Sequence, residues 1–235
     1  MLTVHQLLLY AHIGFGALAL VLFWLPFATR KGSVTHRRIG RWYVLGMYIV
    51  SGTGVAMSLM VLAAPGYFKP NVPTAAVYVF WALLLFLSLL TLVNVRLAML
   101  VLQYKHRPEV FRQARYLWMP LVMLAGGIGL VIIAFNASQL LLLHYIFGVL
   151  GVVTAAQMLQ LSVARTLKPN TWLLQHISAT IGSGIALYTA FMAFGARQFL
   201  GFLGDWQLLA WIIPGIVGSF AIAWISKRYR QHKHA

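Results

Sequence analysis

Long apolar runs broken by short polar clusters dominate the chain. Seven runs are long enough to cross a hydrocarbon layer of ~30 Å at about 1.5 Å of helical rise per residue. They cover roughly 5–27, 39–63, 75–102, 114–135, 140–161, 172–194 and 206–226. The predicted fold is all-α, a polytopic transmembrane helix bundle forming a single integral-membrane domain over residues 1–235. The fourth and fifth runs are parted only by Asn136, Ala137, Ser138 and Gln139, a predicted tight turn. Pro120 and Pro214 fall inside spans and predict kinks. Met1 to Gln6 carries no Lys or Arg, and no small-residue cleavage site precedes Phe27, so the first span is expected to be retained.

Composition agrees with a membrane solvent. Of 235 residues, 61% are hydrophobic and 9% charged, where a soluble domain carries about a quarter charged. Eighteen Lys and Arg face two acids, Glu109 and Asp205, a formal charge of +16. Nucleic acid is not the expected partner, because the charge sits in short clusters between apolar spans and not on a soluble face. Arg30, Lys31, Arg37, Arg38 and Arg41 follow the first span; Arg96, Lys105, Arg107, Arg112 and Arg115 surround the exit of the third. Arg165 and Lys168 follow the fifth, and Lys227, Arg228, Arg230 and Lys233 the seventh. In a seven-span chain these share one side, leaving Lys69 and Arg197 on the other. The positive-inside bias then predicts an outer N-terminus and a cytoplasmic C-terminus. Aromatics near span ends, such as Trp24, Trp42, Tyr67 and Trp224, suit the interface.

The chain has no Cys, which excludes disulfides, Fe–S clusters, zinc–thiolate sites and c-type haem attachment. No acid lies within a span, so a carboxylate relay is not expected. HExxH, Walker and Rossmann signatures are missing from the sequence.

Histidine is the remaining chemistry. His12 and His144 enter their spans from the outer side, whereas His36 and His176 enter from the cytoplasmic side. One outer pair and one inner pair follow, and all four are candidate metal ligands. Gly16, Gly40 and Gly148 stand four residues after His12, His36 and His144; Thr180 and Gly184 follow His176. Four residues on is the same helix face, where a glycine would leave room for a flat porphyrin held by the histidine. Two imidazoles per iron describe a b-type haem, and two layers describe two. Glycines equally serve close helix packing. Arg37, Arg38 and Arg96 are candidate propionate partners; snorkelling and topology are their other roles. His106, in the basic loop, is the substitute inner ligand, and His5 shares the face of His12. The alternative is a non-redox transporter or receptor lined by His12, Asn94, Arg96, His144, Gln157 and His176, or a membrane-embedded assembly partner.

His12-Ile-Gly-Phe-Gly followed by Lys31-Gly-Ser-Val-Thr-His36-Arg-Arg-Ile-Gly40-Arg resembles a bacterial family of multi-pass membrane proteins of unknown function. More distantly, the chain resembles the two-haem membrane cytochromes of the b561 type. That likeness implies a four-helix core with two b haems near opposite faces, the outer on His12 and His144, the inner on His36 and His176. It also implies residence in the bacterial inner membrane, a quinone as further cofactor, and a quinol or a periplasmic electron donor or acceptor as partner.

Overall fold

The structure, a computed structural model, describes residues 2–137, 141–164, 170–196 and 208–231. Ser138 and Gln139 of the expected turn, Arg165, Lys168, Arg197, Lys233 and Asp205 lie outside the described residues. Among those residues, seven helices are long and apolar enough to cross a membrane, as the pattern predicts. α1, Leu2–Trp24, runs on into a 3₁₀ turn, Leu25–Ala28. α2 is Val34–Ala63, α3 Thr74–Gln103, α4 Ala114–Asn136 and α5 Leu142–Val163. α6, Thr171–Ala190, continues as a π-turn, Phe191–Gly195, and α7 is Leu208–Gln231.

The main boundary shift is at α2, expected from 39 and found from Val34. The cause is local. Gly32 takes a left-handed φ of 77°, which turns the chain without a Cβ clash. The Ser33 hydroxyl then accepts the His36 N–H at 3.2 Å, and its carbonyl accepts the Arg37 N–H at 3.0 Å. This serine cap starts the helix in polar sequence, one turn before the apolar run. His36 therefore sits in the first turn of α2.

The packing follows lipid rules. Large apolar side chains such as Leu7, Val21, Leu121, Phe135, Val149 and Phe220 are exposed, at no cost where hydrocarbon surrounds them. Buried positions include small or hydroxyl residues: Ala19, Ser51, Ser58, Thr91, Ser183 and Thr189. Such residues let helix backbones approach.

The chain forms two compact units of interleaved segments. The first contains Met1–Phe15, Tyr48–Val93 and His106–Leu167; the second contains Gly16–Met47, Asn94–Lys105 and Lys168–Ala235. In the first unit, α4 and α5 meet backbone to backbone. A methyl group at Gly127 would lie 2.6 Å from the Gly148 carbonyl oxygen, and one at Gly148 would lie 2.8 Å from that of Gly127. The Phe86 ring of α3 occupies the space beside Gly126 and Gly151. The α5 end is held by Arg112, whose Nε donates to the Ser162 carbonyl at 3.1 Å and whose Nη2 donates to that of Ala164 at 2.8 Å. In the second unit, Phe23 of α1 fills the space at Gly184 of α6, and Ile185 of α6 fills that at Gly218 of α7.

Candidate functional site

Each of the four candidate histidines is tied to a backbone carbonyl. A carbonyl only accepts, so the bonded ring nitrogen carries the hydrogen and the neutral ring keeps its lone pair on the other nitrogen. His12 Nδ1 donates to the Val50 carbonyl at 2.9 Å, with Thr53 Oγ1 at 3.1 Å. Thr53 turns its own proton to the Ile49 or Val50 carbonyl, so its oxygen is free to accept. His36 Nδ1 donates to the Pro26 carbonyl at 3.2 Å, with Thr29 Oγ1 also at 3.2 Å. His176 Nδ1 donates to the Ala98 carbonyl at 3.0 Å. All three therefore present Nε2 as the lone-pair nitrogen, the arrangement of a ligating imidazole oriented by its second nitrogen. His144 is reversed. Its Nε2 donates to the Val79 carbonyl at 3.0 Å, and the residue is 5% exposed.

The inner pair lies wholly within the second unit. Phe23 of α1 stacks on Tyr43 of α2 at 5.8 Å, and Pro26 bonds His36, so α1 and α2 run antiparallel. Phe23 also meets Gly184, and the Leu20 carbonyl accepts the Tyr188 hydroxyl at 2.9 Å, so α1 and α6 are antiparallel as well. It follows that α2 and α6 are parallel. The Tyr43 hydroxyl meets Ser183 Oγ at 2.8 Å and sets their register. Tyr43 stands seven residues after His36, and Ser183 seven after His176. Seven residues are about two turns, which returns to the same face. The two imidazoles are thereby brought to one level.

A b haem needs two facing imidazole lone pairs and a clear face beside them. The inner pair supplies both Nε2 atoms. A methyl group at Gly40, on the His36 face, would meet nothing within 4 Å, so that flank is open. Gly184, the second glycine expected to clear a ring beside His176, is instead covered by Phe23. Gly182 faces the Asn94 amide, with Oδ1 at 3.3 Å from where a methyl would stand. Arg37, Arg38 and Arg41 are exposed around the start of α2.

The outer pair lies within the first unit and fits less well. His144 has committed Nε2 to Val79, and Gly148 on the same face is taken up by the Gly127 backbone. Gly148 thus serves helix packing. His12 sits in a polar cluster. A methyl at Gly54 would lie 2.5 Å from Ser88 Oγ and 3.5 Å from His12 Cε1, so ring, hydroxyl and glycine meet. Gly16 is half-buried on α1, in the second unit.

The remaining candidates disperse. Arg96 is exposed seven residues before the end of α3, about 10 Å from its terminus, in keeping with a snorkelling side chain. His106 and Gln157 are exposed. His5 packs against Phe68 at 5.2 Å and Trp81 at 6.5 Å, with Lys69 over Trp81 at 5.9 Å. Among the described residues no three His, Cys, Asp or Glu side chains gather to hold a metal ion.

Sequence reasoning gave Thr29, Tyr43, Thr53, Ser88 and Ser183 no role at the site. For all but Thr29 the signal was present: hydroxyl residues in apolar spans, two of them seven residues beyond a histidine. No family model, no curated protein and no solved structure matches this chain.

Proposed function

We propose that the chain is a membrane-embedded b-type electron carrier whose haem is held between His36 and His176. The observation that carries this reading is the tautomer pattern, in which backbone carbonyls orient both imidazoles with Nε2 outward on two parallel, registered helices. Bound there, the haem would supply one-electron transfer. The protein's part is to hold the ligands. Pro26 and Thr29 orient the His36 ring, Ala98 orients His176, and Gly40 leaves one flank open. Arg37, Arg38 and Arg41 supply positive charge for the propionates. Those clusters also support a cytoplasmic inner site, an outer N-terminus and residence in a bacterial inner membrane. A lipid-soluble quinol is the fitting partner for an electron carrier built within the membrane.

His12 favours a second, outer haem, since it too presents Nε2. That version requires His144 to release the Val79 carbonyl and α4 to yield at Gly148.

The test is haem stoichiometry and a reduced-minus-oxidised spectrum of protein purified from haem-replete cells. One haem per chain, lost in His36→Ala and His176→Ala and kept in His144→Ala, is the expected result. Two haems, one lost in His12→Ala and His144→Ala together, would establish the outer site. No Soret band overturns the cytochrome reading and leaves the histidines to a transport or receptor role.

A further inference from the structure

We propose that Tyr43 and Ser183 are positioning residues for the inner histidine pair, and that their hydrogen bond locks α2 against α6 in the register that aligns His36 with His176; the consequence for a haem rests on the cytochrome reading above. The direction of the bond is fixed. Ser183 Oγ gives its proton to the Thr180 carbonyl at 2.7 Å, so at 2.8 Å it must accept from the Tyr43 phenol. Both residues are buried, at 3% and 1% exposure. A slip by four residues would put the phenol opposite Ala179 or Leu187 and leave a hydroxyl unpaired in a low-dielectric interior. The same slip would carry His36 a turn away from His176. The Phe23 ring, 5.8 Å from Tyr43 and seated at Gly184, packs at the same level of α2 and α6, so this contact and that packing together hold the register.

The two partners are not equivalent. Tyr43→Phe removes the inter-helix bond and orphans nothing, because Ser183 keeps Thr180. Ser183→Ala leaves the Tyr43 phenol buried without its acceptor. The double variant removes donor and acceptor together and should be milder than Ser183→Ala alone.

The first measurement needs no haem. The chain lacks cysteine, so His36→Cys with His176→Cys gives a unique thiol pair for a short bifunctional maleimide. Adding Tyr43→Phe should slow cross-linking about three- to tenfold, the effect of losing one net hydrogen bond. Unchanged cross-linking in both Tyr43→Phe and Ser183→Ala overturns the proposal. The second measurement uses haem-loaded protein with His36 and His176 intact. Tyr43→Phe should shift the midpoint potential and lower the low-spin fraction while unfolding little earlier than wild type. A loss of stability with unchanged spectrum and potential would assign the bond to folding alone and overturn the positioning role. If wild type binds no haem but cross-linking still slows, the cytochrome reading fails and the register lock stands.

Discussion

Gly127→Ala tests the closest backbone contact in the first unit. The added methyl would lie 2.6 Å from the Gly148 carbonyl oxygen, 3.0 Å from the Val152 nitrogen and 3.3 Å from the Gly151 carbonyl carbon. All three are backbone atoms of α5, so no rotamer change relieves the overlap. Restoring an ordinary contact of about 3.4 Å needs α5 to recede by about 0.8 Å, which also strips contacts from Phe86 beside Gly151. Overpacking of this kind costs about 1–3 kcal/mol. Gly129 is the internal control, on the same helix and with nothing within 4 Å of the built methyl. There alanine should stabilise by about 0.5–1 kcal/mol through reduced chain entropy. Two alanines two residues apart should thus differ by roughly 1.5–4 kcal/mol. Detergent-micelle unfolding followed by circular dichroism reads the difference. If Gly127→Ala proves as stable as Gly129→Ala, α4 and α5 do not approach through this glycine, and the packing role given to Gly148 falls with it.

Further outcomes follow from the same geometry. Gly148→Ala should lower stability by about 1–3 kcal/mol yet leave haem per protein unchanged; loss of haem at constant monodispersity would return Gly148 to the ligand pocket. Arg112→Ala should destabilise the α5 terminus by about 1 kcal/mol, since its two carbonyl bonds are partly solvent-screened, and accelerated hydrogen exchange at Ser162 to Ala164 would report it. His144→Phe, which removes the bond to Val79 at similar volume, should cost about 1–3 kcal/mol without changing the spectrum. Reporter fusions in the His106 loop and at the C-terminus should both read cytoplasmic, and a periplasmic C-terminus would reverse the layering of the histidines.

The number of spans and their approximate limits were legible from the sequence, because unpaired backbone polar groups are costly in lipid and a long apolar helix pairs them within one continuous segment. Distance along a helix also gives each of His12, His36, His144 and His176 an expected depth from the sequence. Local polar chemistry was read too late: Gly32 and Ser33 begin α2 at Val34, before the apolar run that hydropathy detects. Which neighbour each helix face meets was not encoded in any one segment. Gly40, Gly148 and Gly184 look alike in sequence, yet one stands open, one meets backbone and one meets the Phe23 ring. The same holds for imidazole tautomers. His144 and His12 share a residue type, but the carbonyl each one reaches lies on a different helix, Val79 on α3 and Val50 on α2. Only tertiary packing brings such groups together, and so only the fold decides that three histidines present Nε2 and the fourth does not.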